Sequence, residues 1–550
     1  MAETPMLVNA VDYKGRPVWR SNSGGWRSAA FIIGVEVAER FAYYGISSNL
    51  VTYLTGPLGQ STAAAAANVN AWSGTASLLP LLGALVADSF LGRYRTIVVA
   101  SLLYILGLGL LTLSTTLPSL SGSSPQVQVI LFFFSLYLVA VAQGGHKPCT
   151  QAFGADQFDG QDPEECKGKS SFFNWWNFGI AAGSTVAIFI ISYIQDNLNW
   201  ALGFGLPCIA MVVALVVFLI GTSTYRYIIG QNEKGAFVRI GSVFVAAFKN
   251  WQRCTPSTIA PNEVEALEFL PDQSSEQFKF LHKALLSPNN LKEDDCVCCT
   301  ADVEEAKAVL RLVPIWGSCL IYGMVFAQST TFFTKQGATM ERTIFSGFEI
   351  PAASLQCFIG LTTIIVIPIY DRIFVPIARA FTRKPSGITM LQRIGIGMLF
   401  FAFSMVVAAL TEMKRLNIAR EYNLVDRPSV IVPMSVWWLV PQYLFFGIAD
   451  VFTLIGLQEF FYDQVPTELR SIGLSLYLSV IGVGSFLSSC LVSIIEKATG
   501  GDGRDGWFSN NLNRAHLDYF YWLLAGFSTI GFIAYLHFAR SYVYNRIGTM

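Results

Sequence analysis

Apolar runs of about 20 residues recur along the chain, separated by short polar breaks. "TIVVASLLYILGLGLLTLS" (96–114), "VQVILFFFSLYLVAVA" (127–142) and "ALGFGLPCIAMVVALVVFLIG" (201–221) are the clearest. Each has the length that a helix needs to cross hydrocarbon. Marking every such run predicts twelve helices in two groups of six, over 28–54, 68–88, 95–116, 127–150, 172–195 and 200–222, then 308–333, 345–370, 389–412, 434–462, 471–496 and 517–539. Between the groups lies a polar insert in which "EVEALEFL" and "QFKFLHKALL" have helical spacing and mixed charge. Such a segment suits amphipathic helices on the membrane face, or partial disorder.

This pattern is that of an all-α membrane protein, and six plus six with a central linker is the layout of the major facilitator superfamily fold. The expected division is a cytosolic tail at 1–27, a first six-helix bundle at 28–222, a cytosolic linker at 223–307, a second bundle at 308–540 and a cytosolic tail at 541–550. A faint internal echo supports parallel repeats: "ADSFLGRYR" (87–95) follows the second helix and "YDRIFVPIAR" (370–379) the eighth. Composition agrees, with 53% hydrophobic and 13% charged residues against about 25% charged in an average soluble chain. Mean hydropathy is +0.47.

Formal net charge is zero, so no basic surplus points to nucleic acid and no acidic surplus to cations. Partners have to be read from sites. The N-terminal segment is polar and basic without an apolar core, which reads as a tail and not a cleaved signal. Half of the ten cysteines sit in apolar segments; Cys296 and Cys299 form a lone CxxC beside Cys298, with no second pair or histidines to complete a zinc site. Loop charges set the orientation. "TGPLGQST" (55–62) and "STTLPSLSGSSPQ" (114–126) carry none, while alternate loops carry Arg93, Arg95, Arg372, Arg379, Arg383 and Lys384. The positive-inside rule then puts both termini and the linker in the cytosol. "KRLNIAREYNLVDRP" (414–428) dissents, being basic yet assigned outside.

One predicted span breaks the apolar pattern. "GVEVAERFAYYG" (34–45) holds Glu36, Glu39 and Arg40, and each ionisable residue at bilayer depth costs roughly 2.5 to 3.5 kcal/mol. Left facing lipid, the three would cost about 8 to 10 kcal/mol. Spacing of i, i+3, i+4, i+7 puts Glu36, Glu39, Arg40 and Tyr43 on one stripe, which would line a polar cavity. A local salt bridge that only fixes helix packing is the alternative. Lys147 in "GGHKPC" and Glu459 in "GLQEFFYDQVP" join the inventory, the first where Gly144, Gly145 and Pro148 are expected to loosen the fourth helix. Three acids then face two bases. An unpaired carboxylate in a low-dielectric cavity takes up a proton and returns it when a base swings in. That arrangement suits proton-coupled transport.

In "ExxER" (36–40), "GALVADSFLGRYRTIVVASLLYILG" (83–107), "FGADQFD" (153–159) and "EFFYDQVPTELRS" (459–471), the chain resembles the proton-dependent oligopeptide transporters, and within them the plant nitrate transporter 1/peptide transporter family. "GGHKPC" and "YKGRP" resemble its fifth subfamily. The resemblance implies a symporter of nitrate or a small organic solute, with protons as the coupling ion and no other cofactor. It implies coupling roles for Glu36, Glu39, Arg40, Lys147 and Glu459, with Lys147 pairing alternately with the first helix and with Glu459, and a rocking of two bundles about a central site.

Two departures bear on the solute. The second basic residue that peptide carriers place seven positions after the motif arginine is Ser47 here, and a nitrate-binding histidine of the seventh helix is replaced by Phe326. The fifth-helix asparagine is Ala181. Nitrate is left with Arg40 or Lys147, and the expected solute contacts are Arg40, Tyr43, Tyr44, Lys147 and Phe326. Tyr43, Tyr44, Trp175, Trp176 and Phe326 suit either a stacking pocket for a larger plant metabolite or hormone, or ordinary packing and interface belts. His146 suits a proton relay or packing; Asp450, on the face opposite Glu459, suits helix-to-helix bonding or the cavity. No span offers a nucleophile with its base or a metal set, so an enzyme is not expected. A non-transporting membrane sensor is the alternative from a different class. "ETPMLV" (3–8) nearly matches an acidic dileucine signal, which leaves plasma and vacuolar membranes both open. Thr96 in "RYRT" is a candidate phosphorylation site for a protein kinase, or a helix-end hydroxyl with a structural role.

Overall fold

The computed structural model describes residues 6–20, 23–121, 125–159, 162–228, 236–251, 278, 280–281, 284, 300–345, 347–382, 388–465, 470–500 and 506–542. Twelve long elements follow one another as α1 Gly25–Ser47, α2 Thr62–Val86, α3 Arg93–Ser121, α4 Pro125–Ala155, α5 Pro163–Asn197 and α6 Trp200–Ile220, then α7 Thr300–Phe326, α8 Cys357–Ile369, α9 Met390–Glu421, α10 Val440–Asp463, α11 Arg470–Thr499 and α12 Leu517–Ser541. Among the described residues, eleven helical stretches are long and apolar enough to cross a membrane. α1 is the twelfth span, and its buried charges keep it out of that set. Several starts are written in the sequence: Ser61 caps α2, Asp162 caps α5 ahead of Pro163, Asn199 caps α6, and Thr389 with Gln392 forms a capping box on α9.

The second and eighth helices both end in a five-residue π-helix, Ala87–Leu91 and Tyr370–Phe374. These are the two segments whose sequences echo one another, so the repeat extends to local backbone. The eighth span begins later than its hydropathy suggests. The apolar residues Phe332, Phe333 and Ala352–Leu355 belong to a short helix, Phe332–Ala338, and a 3-10 turn, and they are buried in protein instead of spanning lipid. The fourth helix is not loosened at its glycines either, because α4 runs unbroken through Gly144, Gly145 and Pro148. The glycines allow close crossing: a Cβ on Gly83 of α2 would lie 2.0 Å from the Gly144 carbonyl oxygen.

One charge of the basic segment 414–428 is paired inside the fold. Arg415 is buried, binds Glu412 at 2.6 Å and donates to Asn513 at 2.8 Å and the Leu512 carbonyl at 2.7 Å. Lys414 stacks 3.2 Å from the Trp438 ring, and Arg514 pairs with Asp426. Glu412 thus matches Arg415, while the Asp426 pair takes up one of the segment's own acids, so the segment stays basic and still departs from the orientation rule. The N-terminal segment also has structure: β1 Met6–Val11 pairs with β2 Pro17–Trp19 and with β3 Tyr227–Ile228, which follows α6. Arg226 ties this sheet down through Glu165 at 2.7 and 3.0 Å and the carbonyls of Ser23 and Gln157. In the linker, helix Ala236–Trp251 buries Ile240, Val243 and Ala247 in one apolar cluster with Val303 and Ala306 of α7, and Arg239 meets Glu305 at 3.2 Å. Cys296, Cys298 and Cys299 lie outside the described residues.

With twelve spans both termini fall on one face. Every hydrogen bond between described residues of the two bundles lies from the middle of the span toward the opposite face: Lys335 to Thr55 at 3.0 Å, Gln356 to the Ser48 carbonyl at 2.9 Å, Thr62 to Asn510 at 2.9 Å, Asn70 to Ser488 at 3.0 Å, Ser489 to the Ala67 carbonyl at 2.9 Å, and a long Cys357 contact to the Thr185 carbonyl at 3.9 Å. Where α2 crosses α11, Gly74 and Gly482 let the backbones touch, since a Cβ on Gly74 would lie 2.9 Å from the Gly482 carbonyl oxygen. The bundles are thus sealed far from the termini, and no such bond joins their described residues on the terminal face.

Candidate functional site

The charged stripe of α1 points into the first bundle. Glu36, Glu39 and Arg40 are 2%, 0% and 4% exposed, so none of them faces lipid. Arg40 binds Glu39, and its Nε lies 3.3 Å from Glu36 Oε1. Tyr104 of α3 donates to Glu39 Oε1 at 3.3 Å. Glu36 Oε2 has no hydrogen-bond partner. One guanidinium is shared by two carboxylates, and one carboxylate oxygen is left over.

Lys147 of α4 is half-buried and within electrostatic reach of Glu36, Glu39 and Arg40, yet no ion pair joins it to a described residue. The four groups therefore form one cluster with an uncommitted ammonium. Arg40 lies 5.5 Å from the centre of the Tyr43 ring, which stacks on Trp72 at 5.4 Å and meets Tyr44 edge-on at 5.3 Å.

Across from this wall stand side chains of the second bundle. Tyr322 of α7 donates to Asp450 of α10 at 3.0 Å, and Asp450 is within electrostatic reach of Tyr44. Tyr477 of α11 is in reach of both. Phe326 packs against Tyr322 at 6.0 Å and Phe446 at 5.8 Å. The first bundle thus brings two acids and two bases to the centre, and the second brings one acid with phenols and Phe326.

Glu459 is not brought to this cluster. Its side chain is 47% exposed and binds Arg393 of α9 at 3.1 Å, while that guanidinium lies 4.5 Å from the Tyr370 ring. Nine residues separate Asp450 from Glu459, about two and a half helical turns, so the two acids face opposite ways. Trp175 is exposed and Trp176 packs on Phe172, both apart from the charged stripe. Ser47 is buried with its hydroxyl unpaired. Thr96 is buried and donates to the Gly92 carbonyl at 2.9 Å. Tyr322 and Tyr477 were not singled out from sequence, because aromatic residues in apolar runs carry no sign of which way they point.

The sequence pattern of the POT family matches residues 94–508. The chain is 65% identical to "Protein NRT1/ PTR FAMILY 5.10" of Arabidopsis thaliana, covering all of this chain and 98% of that protein. It is 58% identical to "Protein NRT1/ PTR FAMILY 5.16" of the same plant, over 98% of this chain and 97% of that one. Among solved structures, an auto-inhibited POT family peptide transporter superposes with a TM-score of 0.74 at 22% identity, over 95% of this chain and 99% of its own. The POT family transporter PepTSo follows at 0.70 and 22%, over 94% and 98%.

Proposed function

The chain belongs to the POT family, a family of membrane transporters, and from that membership we propose that it is a proton-coupled symporter of nitrate or a small organic solute. The observation that carries this reading is the buried set Glu36, Glu39 and Arg40 with Lys147 uncommitted beside it. A solute anion that engages Arg40 or Lys147 withdraws positive charge from the carboxylates. An acid so released holds a proton at lower cost than an unpaired carboxylate in the same cavity. Anion and proton then load together, and the loaded site carries less net charge through the rocking step than either alone.

Asp450, not Glu459, is the α10 acid that answers this wall from the second bundle. If the termini are cytosolic, the far-side seal makes the described conformation open to the cytosol, the state in which solute and proton leave. A carrier of a larger, aromatic plant solute is the second reading, favoured by Tyr43, Tyr44, Tyr322 and Phe326 around the charges. The test is uptake into oocytes or proteoliposomes from an acidic outside medium, with nitrate and a panel of organic anions. Solute-dependent proton entry supports the reading. Binding without proton entry identifies a sensor instead.

A further inference from the structure

Beside Lys147 stands a group that the coupling scheme leaves unused. His146 of α4 is fully buried, at 0% exposed. The single hydrogen of the Thr150 hydroxyl goes to the His146 carbonyl oxygen at 2.7 Å, and the hydroxyl oxygen lies 3.2 Å from His146 Nδ1. That oxygen can only accept from the ring, so Nδ1 is the nitrogen bearing hydrogen. Nε2 is then a bare lone pair, buried and without a donor. Buried acceptors are almost always satisfied, so one left open calls for an explanation.

The charged groups within electrostatic reach of the ring are Glu39 and Arg40, both on α1. Tyr104 of α3 is linked to them through its bond to Glu39. Among the described residues no other charged group acts on the ring. Glu39 attracts a positive charge on the ring and Arg40 repels it. While Arg40 stands alone the two effects oppose each other. An anion bound at Arg40 cancels the repulsion, and with Glu36 as the released proton site the ionised Glu39 keeps the attraction.

We propose that His146 is a second proton-holding residue of the site, loaded when an anion occupies Arg40. The proton comes from a hydronium ion admitted to the cluster with the anion: the N–H bond forms at Nε2, water remains, and the imidazolium stands within electrostatic reach of Glu39. After the anion leaves, the N–H bond breaks and the proton returns to water on the other side. His146 touches no solute in this scheme and acts through the charges of α1.

The role rests on the transport reading, but its test needs no solute. The full chain, labelled with 15N-histidine in lipid nanodiscs, gives a ring signal assigned by its absence in His146→Gln. At neutral pH the expected signature is hydrogen on Nδ1 and none on Nε2. On stepwise acidification from neutral pH to about pH 4, Arg40→Gln should show, at matched pH, an imidazolium-to-imidazole ratio about tenfold above the parent, equivalent to a shift of about one pH unit. Glu39→Gln should show a lower ratio, and it serves if Arg40→Gln fails to fold. Hydrogen on Nε2 at neutral pH, or one ratio in all three proteins, makes His146 a packing residue. Failure of uptake with this signature intact would count against the transport reading alone.

Discussion

Removing the Glu39 carboxylate leaves Arg40 with only Glu36, and removing the Lys147 ammonium takes away the uncommitted charge of the cluster. Neither change alters helix length or opens a large cavity. Glu39→Gln and Lys147→Ala should each lower proton-driven uptake by at least about tenfold, or about 1.4 kcal/mol, at near-normal surface expression. Uptake unchanged by both would show that the cluster only packs helices. Ser47 and Phe326 replace the two family contacts for peptide carboxylate and nitrate, so no dipeptide uptake and only weak nitrate affinity are expected. High-affinity uptake of either solute contradicts this. At Thr96, the buried hydroxyl already has its acceptor. Thr96→Ala should cost about 1 kcal/mol, the usual net value of one hydrogen bond, and Thr96→Asp should melt lower still, because it buries a charge. A regulatory phosphate at this position instead requires altered uptake kinetics in Thr96→Asp at equal stability.

The crossing of α2 and α11 is the element that sets far-side closure. A Cβ on Gly74 meets the Gly482 carbonyl oxygen, a backbone atom that cannot swing aside. Gly74→Ala should therefore push the helices apart and weaken the neighbouring Asn70 to Ser488 and Thr62 to Asn510 bonds. A cysteine at Ser48, fully buried in the sealed mouth, reports the change: it should react faster with an impermeant thiol reagent in the Gly74→Ala protein. Equal rates would place the pivot elsewhere. The N-terminal strand bears on sorting. Met6–Val8 of the near-dileucine stretch lies within β1, and Glu3 lies outside the described residues. An adaptor would have to unpair that strand to read it, so Leu7→Ala is expected to leave a fluorescent fusion where the parent sits. Relocation would show that the strand opens in cells.

Twelve spans in two bundles could be read from hydropathy because the bilayer asks only for length and apolarity. Where protein replaces lipid around an apolar segment, that signal fails. Phe332, Phe333 and Ala352–Leu355 are as apolar as a span, yet they pack inside the second bundle. The charged stripe of α1 was legible because helical spacing fixes its shared face, and the burial of all three groups follows from their cost in lipid. The α10 partner was not, since hydropathy gives neither depth nor rotation and a family motif drew attention to Glu459 over Asp450. The hairpin at the N-terminus was hidden by its polar composition, and its pairing with Tyr227–Ile228 depends on residues about 200 positions away.

A central site closed on one side and charged on both walls accounts for a carrier only if solute and proton cross together. The most direct measurement is proton entry into proteoliposomes holding a pH-sensitive dye, recorded on adding nitrate or one of a panel of organic anions to an acidic outside medium. Solute-dependent acidification of the interior by the parent chain, lost in Glu39→Gln, is the predicted result. Solute entry with no accompanying acidification, or acidification undiminished in Glu39→Gln, would contradict it.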